Sequence, residues 1–269
     1  MIFKVFHNMA CLVGILVGLQ LIPSRAVADL NEAELAYDSG DYELAYSIWL
    51  PLALTGNPTA QYNLATLYRF GQGIESSAIT AMEWYRRAAS QGHVLSQVNL
   101  GRLYLSGLGL AGNPSTALSW FQLAADRGNP FGKYYLGMQY LKGLGVVADL
   151  VLARDLLLGA ANQGVREAVY EMAQIYRDGI GVDSNELEAV KWFRIGAKAG
   201  HPRSQKIVGS LYEQGVVVES DMARAYFWYA LASANGDPEA VKGRSRVMSL
   251  LSPAELNHLN EVVDQWHER

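Results

Sequence analysis

Small and aromatic residues recur along this chain at a fixed interval of 36 residues. A glycine, a tyrosine and an alanine keep this interval in step with one another. The positions are Gly56, Gly92, Gly128, Gly164, Gly200 and Gly236; Tyr68, Tyr104, Tyr140, Tyr176 and Tyr212; and Ala45, Ala81, Ala117, Ala153, Ala189 and Ala225. Such a period is typical of a solenoid in which each repeat buries its apolar face against its neighbours. The pattern therefore predicts a repeat array.

The first half of each repeat has the apolar spacing of an amphipathic helix. Ala60, Leu64, Leu67 and Tyr68 lie on one helical stripe, and the later repeats keep it. The residue that follows Leu64, and its equivalents, is always small, although glycine inside a helix costs up to about 1 kcal/mol. We expect a second helix to approach closely at this position, which is occupied by Ala65, Gly101, Gly137, Ala173 and Gly209.

The second half predicts that second helix. Trp84 and Tyr85 alternate with Ala88 and Ala89, as large and small residues do where helices interlock. The third repeat replaces the aromatic pair with two leucines, at positions 156–157, and keeps the apolar volume.

The joint between the two helices is Gly-x-Gly in four repeats and becomes Gly215 and Val217 in the last. No strand pattern precedes these glycines, so they indicate helix termination and not a phosphate-binding loop. The four earlier joints are Gly71 and Gly73, Gly107 and Gly109, Gly143 and Gly145, and Gly179 and Gly181.

The two ends of the array depart from the pattern. Residues 29–56 predict a shorter hairpin with a tight turn at Gly40, and residues 237–269 predict capping helices. In the second of these, Ser252, Pro253 and Glu255 stand where an N-cap, a first helical residue and the third helical residue belong. We expect that helix to continue to about Trp266.

Residues 1–28 have the pattern of a secretory signal peptide. Lys4 precedes an apolar run, and the small residues Ala26 and Ala28 predict cleavage near Ala28. The run is shorter than the roughly 20 residues that span a bilayer, so a retained anchor is the less favoured alternative.

Cleavage would remove Lys4, Arg25 and the only cysteine, Cys11, and would change the formal net charge from −4 to −6. An acidic chain of this kind is not expected to bind nucleic acid. It would also contain no disulfide and no cysteine-based metal site. Together these features predict a bacterial periplasmic or secreted protein.

The combined pattern, A-x-x-x-L-G-x-L-Y-x-x-G-x-G-V followed by A-x-x-W-Y-x-x-A-A-x-x-G, resembles the Sel-one-like repeat family, a relative of the tetratricopeptide repeats. Residues 57–236 match it as five repeats. The resemblance implies an all-α fold, a right-handed α/α solenoid superhelix built from helical hairpins.

Candidate catalytic groups are sparse. No HExxH, G-x-S-x-G or GxxxxGK[ST] motif is present, and we expect no catalytic, cofactor-binding or metal-ligating residue. His93 and His201 follow the closing glycine of a repeat, where other repeats have Asn57 or Asn129, so we expect them to cap helices. Some exported, disulfide-rich members of the family are linked to β-lactam binding, which leaves a hydrolase as a minor alternative.

In tetratricopeptide-like arrays the first helix of each hairpin lines the concave groove. Projected onto this chain, that geometry predicts an aromatic ladder flanked by arginines, which are residue types enriched at binding hot spots. The predicted partner-binding residues are Tyr62, Arg69, Arg102, Phe131, Tyr134, Met138, Tyr170 and Arg177. In the simpler interpretation, the tyrosines fill interhelical gaps and the arginines pair with nearby acids.

The resemblance implies a non-enzymatic scaffold or adaptor that binds a protein or peptide, in bacterial envelope assembly, exopolysaccharide systems or signalling. The alternative is a binder of cell-wall glycan or peptide, in which the tyrosines stack on sugar rings. No membrane span is expected in the mature chain.

Overall fold

The computed structural model describes residues 27–108 and 112–267, and in these ranges the secondary structure is helical, with no strand. Residues 1–26 of the predicted signal peptide lie outside the described part of the chain. Residues 27–38 are helical and are called α1. The helices that follow are α2 (Tyr42–Leu54), α3 (Pro58–Phe70), α4 (Ala78–Ser90), α5 (Val94–Ser106), α6 (Pro114–Asp126), α7 (Pro130–Lys142), α8 (Leu150–Ala161), α9 (Arg166–Asp178), α10 (Glu186–Lys198), α11 (Pro202–Gln214), α12 (Met222–Ala234), α13 (Pro238–Met248) and α14 (Pro253–His267).

The predicted pairs of helices form in every repeat, and most of these helices have a capping side chain at the start; α9, which follows Val165, does not. Asn57 caps α3 by accepting the amide of Ala60, and Ser77 caps α4 by accepting the amide of Thr80. The first helix of each repeat ends at a glycine in the left-handed conformation, with φ between 65° and 70°. The predicted role of the first joint glycines in helix termination is thus confirmed.

The second joint position is also left-handed. Gly73 and Gly181 each have φ of 68°, and Val217 takes the same conformation in the last repeat, with φ of 65°. At Gly73 a Cβ atom would lie 2.7 Å from the Cβ atom of Tyr42. Glycine there serves both the backbone conformation and the close approach of α2.

The close approach predicted at the small residues of the first helices is confirmed. A Cβ atom on Gly101 would lie 2.6 Å from the ring of Phe121, and one on Gly209 would lie 3.0 Å from the ring of Tyr229. In the third repeat, Gly137 meets the leucine at position 157 instead of an aromatic ring.

The chain divides into two compact units, residues 1–123 and residues 124–269. In the first unit, Trp49, Leu64, Tyr85 and Leu100 lie in one buried core. The second unit has one core cluster around Met172 and Ile175 and another around Phe193, Tyr229 and Leu231.

The second unit ends with α13 and α14. Ser252 and Glu255 form the predicted capping box, in which the Ser252 amide donates to Glu255 Oε2 at 2.8 Å and the Glu255 amide to Ser252 Oγ at 3.3 Å. On α13, Arg246 takes the place of an apolar residue and pairs with Glu213 of α11 at 2.9 Å. None of the helices in the described ranges is both long and apolar enough to cross a membrane.

Candidate functional site

Two of the predicted partner-binding residues, Tyr134 and Tyr170, line one pocket of the second unit. The pocket has a volume of about 400 Å³ and lies over α7, α9 and the N-terminal ends of α11 and α13. We call it the tyrosine pocket. Its lining is Tyr134, Glu167, Tyr170, Glu171, His201, Pro202, Arg203, Gly236, Asp237 and Pro238.

The two tyrosines are held by other rings. Tyr134 meets Tyr135 edge to face, with ring centroids 5.0 Å apart. Tyr170 lies against Phe193 at 6.0 Å and His201 at 4.7 Å. Burial raises the pKa of Tyr134 to about 12, and the nearby carboxylate of Glu171 adds to the effect. The phenol of Tyr134 therefore stays neutral at physiological pH, and both tyrosines offer O–H groups and ring faces.

His201 caps α11. Its Nδ1 accepts the amide of Ser204 at 3.2 Å, and His93 caps α5 in the same way by accepting the amide of Ser96 at 3.3 Å. Burial lowers the pKa of both imidazoles, which keeps Nδ1 unprotonated and able to accept. The capping role predicted for these histidines is confirmed.

Sequence reasoning missed the two glutamates of the tyrosine pocket. Glu167 and Glu171 lie one helical turn apart on α9, on either side of Tyr170 in the sequence. Burial raises the pKa of Glu171, while Lys142 and Arg203 act in the opposite direction. Within the described ranges, no cation lies within 4 Å of either carboxylate. The sequence feature that could have identified them is their i, i+4 spacing on either side of Tyr170, a predicted groove residue.

The cap of α13 is already occupied. Asp237 Oδ1 accepts the amides of Glu239 and Ala240, and its other oxygen lies 3.8 Å from Lys206 Nζ. Pro202 and Pro238 have no N–H to offer. The helix ends at this pocket therefore provide no ready anion site.

The other predicted residues of the second unit lie elsewhere or are engaged. Met138 packs with Tyr134 against the core. Phe131 is 46% exposed on α7. Arg177 pairs with Asp178, Nε to Oδ1 at 2.7 Å, as the simpler interpretation expects. The pocket thus gathers two of the five residues predicted in this unit.

In the first unit, Tyr62 contacts two other rings. Its centroid is 5.7 Å from that of Tyr85 and 4.9 Å from that of His93. Arg69 donates to Asn99 Oδ1 at 3.4 Å and stacks over the neighbouring phenylalanine ring. Arg102 is exposed on α5. Partner binding by these residues stays a prediction.

The described ranges contain no cluster of three or more His, Cys, Asp or Glu side chains with the geometry of a metal site. The arrangement offers rings, phenol groups and carboxylates, which suit recognition of another molecule by contact.

Comparison with known families gives one consistent result. The model of the Sel1 repeat, the Sel-one-like repeat of the sequence analysis, matches five consecutive segments that span more than half of the chain. The segments are residues 58–93, 94–129, 130–165, 166–201 and 202–237. The family resemblance is confirmed. No curated protein matches the sequence.

Solved structures show the same fold. A Sel1 repeat protein from Oxalobacter formigenes is 26% identical, with a TM-score of 0.77 over 88% of this chain and 99% of that one. A protective antigen of uropathogenic Escherichia coli is 24% identical, with a TM-score of 0.59 over 90% of this chain and 61% of that one. An immunity protein from Pseudomonas aeruginosa is 19% identical, with a TM-score of 0.51 over 78% of this chain and 82% of that one. The predicted fold class, an all-α helical-repeat solenoid, is confirmed.

Proposed function

Because this chain belongs to the Sel1 repeat family, we propose that it is a non-enzymatic adaptor that binds a protein or peptide partner. Sel1 repeats usually mediate protein interactions. The proposed binding surface of each unit is its first-helix face, which we define as the non-core positions of α3 and α5 in the first unit and of α7, α9 and α11 in the second. The tyrosine pocket belongs to the face of the second unit.

The observation that carries the proposal is the composition of that pocket. The core positions carry the same residue types in repeat after repeat, whereas the residues of this pocket, Tyr134, Tyr170, Glu167 and Glu171, are not required by the repeat pattern. Tyrosines that present a ring and an O–H beside carboxylates with no cation within 4 Å are suited to contacts with a polypeptide. No catalytic constellation accompanies them among the described residues.

We also propose that the protein works in the bacterial envelope after export. The support is the signal-peptide pattern of residues 1–28, the absence of cysteine after residue 28, and the acidic net charge. Envelope assembly, exopolysaccharide systems and signalling complexes all contain assemblies that an adaptor of this kind would join.

The proposal is tested by capture of the partner in native cells. The tagged chain is expressed at its natural level, crosslinked in the envelope and purified, and the captured molecules are identified by mass spectrometry. The variant carries Arg102→Ala with Tyr134→Ala, which removes one predicted contact from each unit. We expect it to lose most of the captured partner while it keeps its helicity.

A control variant removes one arginine and one large apolar side chain from the second helices. Arg87 is exposed on α4 and Leu123 is 45% exposed on α6, so Arg87→Ala with Leu123→Ala should capture the partner as well as the unmodified chain does. Capture of purified peptidoglycan instead of a protein would favour the cell-wall alternative. Full partner capture by the first-helix variant would overturn the assignment of the face.

A further inference from the structure

A second pocket, in the first unit, has a different chemistry. It has a volume of about 300 Å³ and lies between α1, α2 and α3. We call it the acidic pocket. Its lining is Glu34, Tyr37, Asp38, Trp49, Tyr62, Asn63 and Thr66.

The chain segment that lines the acidic pocket carries charge of one sign. From residue 27 to residue 68 the chain contains no lysine, arginine or histidine, and it contains six acidic residues. Two of them, Glu34 and Asp38, line the pocket one helical turn apart on α1 and are exposed. Within the described part of the chain, neither carboxylate has a hydrogen bond or an ion pair. Their negative charge is therefore not compensated locally.

The wall of the pocket is aromatic. Tyr37 and Trp49 have ring centroids 5.7 Å apart, and Tyr62 contributes from α3. Trp49 is 2% exposed, and its indole N–H is buried without an acceptor in the described structure. An unpaired buried donor beside a pocket is costly, and an acceptor brought by a ligand would remove the cost.

Carboxylates beside electron-rich rings are suited to organic cations. Tyrosine and tryptophan faces attract ammonium and guanidinium groups, and the alkyl stem of a basic side chain packs on the same rings. The amide oxygen of Asn63 adds an acceptor to the wall.

The tyrosine pocket provides an internal comparison. In the acidic pocket an acid, a tyrosine and a second acid stand at Glu34, Tyr37 and Asp38. The tyrosine pocket has the same residue types at the same spacing, at Glu167, Tyr170 and Glu171. However, Lys142 and Arg203 lie near Glu171 and partly offset the rise in its pKa that burial causes. Basic residues of the chain thus lie near the tyrosine pocket, whereas the segment that lines the acidic pocket, within residues 27–68, contains none.

We propose that the acidic pocket binds a lysine or arginine side chain presented by a peptide. The cationic head lies between Glu34 and Asp38, and the alkyl stem lies along Tyr37 and Tyr62. A backbone carbonyl of the bound segment is the acceptor that the Trp49 indole lacks. The inference rests on the proposed function for one point only, namely that a polypeptide carries the cation.

The test is an NMR titration of the isotopically labelled full chain with four probes of defined chemistry. These are the Nα-acetyl methylamides of lysine, arginine, norleucine and glutamate. Saturable shifts of the backbone amides of Glu34, Asp38 and Tyr62 are expected with the two basic probes and not with the other two. Glu34→Gln with Asp38→Asn should weaken the lysine probe at least about tenfold, which corresponds to 1.4 kcal/mol.

The matched control is Glu32→Gln with Glu43→Gln, which removes two exposed acids of the same unit that do not line the pocket. It should weaken binding of the lysine probe less than about twofold, because salt in the solvent screens charges that lie outside the pocket. Equal loss in both double variants, or binding of norleucine as strong as that of lysine, would overturn the proposal.

The two proposals fail separately. Loss of partner capture in cells with intact binding of the lysine probe would count against the adaptor function and leave the cation site in place. Partner capture without any response to the basic probes would count against the cation site and leave the adaptor function in place.

Discussion

The imidazole of His201 lies against the phenol ring of Tyr170, with ring centroids 4.7 Å apart and the planes inclined by 31°. The same contact joins Tyr62 to His93, at 4.9 Å, in the first unit. In the last repeat the equivalent positions hold Lys206 and Asp237, which form an ion pair at 3.8 Å. A residue of the first-helix face thus contacts the N-cap of the next first helix, so the face and the helix caps are physically linked.

The two capping histidines, His93 and His201, predict that the stability of the protein depends on pH. Both imidazoles accept a backbone amide through an unprotonated Nδ1, and burial lowers their pKa below the value of about 6.5 expected in the unfolded chain. Between those two values the unfolded state binds more protons than the folded state. The free energy of unfolding should therefore fall as pH drops from about 6.5 toward the folded pKa of each histidine.

The measurement is urea unfolding at a series of pH values, compared between the unmodified chain and His93→Asn with His201→Asn. Asn57 and Asn129 cap α3 and α7 in the same way and do not titrate, so asparagine preserves the cap. The double variant should lose less stability than the unmodified chain over this pH range. Parallel curves for the two proteins would contradict the prediction.

Gly132 and Gly159 should respond oppositely to alanine. A Cβ atom on Gly132 would lie 2.7 Å from the backbone nitrogen of Ala125, so a helix backbone must shift. One on Gly159 would meet only the flexible side chain of Lys133, at 3.5 Å. We expect Gly132→Ala to lower the free energy of unfolding by about 1–3 kcal/mol. Gly159→Ala should raise it by about 0.5–1 kcal/mol through helix propensity.

Chemical denaturation of the two single variants provides the comparison, because the substitution is the same in both. An increase in stability for Gly132→Ala would mean that α6 and α7 separate easily, against the packing described here.

Val217 should be a site of stored backbone strain. It is a β-branched residue with φ of 65°, in a position where two earlier repeats have a glycine with φ of 68°. A left-handed conformation costs such a residue about 1–2 kcal/mol, whereas glycine takes it freely. Val217→Gly should raise the melting temperature by about 1–3 °C, after allowance for the greater freedom of glycine in the unfolded chain.

The neighbouring residue Val216 is similarly exposed, at 45% against 37%, and is not left-handed. Val216→Gly should therefore lower the melting temperature. Equal effects of the two substitutions would show that side-chain loss, not backbone conformation, decides the outcome.

Glu213 should stabilise the end of the second unit above acidic pH. It accepts two hydrogen bonds from Arg246, both at 2.9 Å, and one from the Tyr229 hydroxyl at 2.6 Å. The Arg246 contact is the main cause of the lowered pKa of this carboxyl. Its contribution is present above the unfolded pKa of about 4.3 and is lost as pH falls through the lower folded value.

Glu213→Gln should cost about 1 kcal/mol at neutral pH, since Arg246 is 61% exposed and the pair is partly screened. The difference between the variant and the unmodified chain should shrink in acid. A double-mutant cycle with Arg246→Gln isolates the ion pair, and a coupling energy of zero at neutral pH would contradict its role.

The sequence by itself determined the repeat, the helices and their ends. The interval of 36 residues is visible in Gly92, Gly128 and Gly164, and the helix boundaries follow from local signals such as Asn57, Ser252 and Gly71. These features are legible because caps, turns and the amphipathic period depend on residues within a few positions of one another. The small residue at Gly101 even predicted a close helix contact without identifying Phe121 as the partner.

Only the tertiary structure decided which side chains of the first-helix face meet. Tyr134 and Tyr170 share a pocket with Glu167 and Glu171, whereas Arg177 forms an ion pair with Asp178, its neighbour in the sequence. The pairing of Tyr170 with His201 links α9 to the N-cap of α11. Such contacts depend on how each hairpin stacks on the next, and that stacking is set by the summed packing of many apolar residues. No local pattern in the sequence encodes this summed packing.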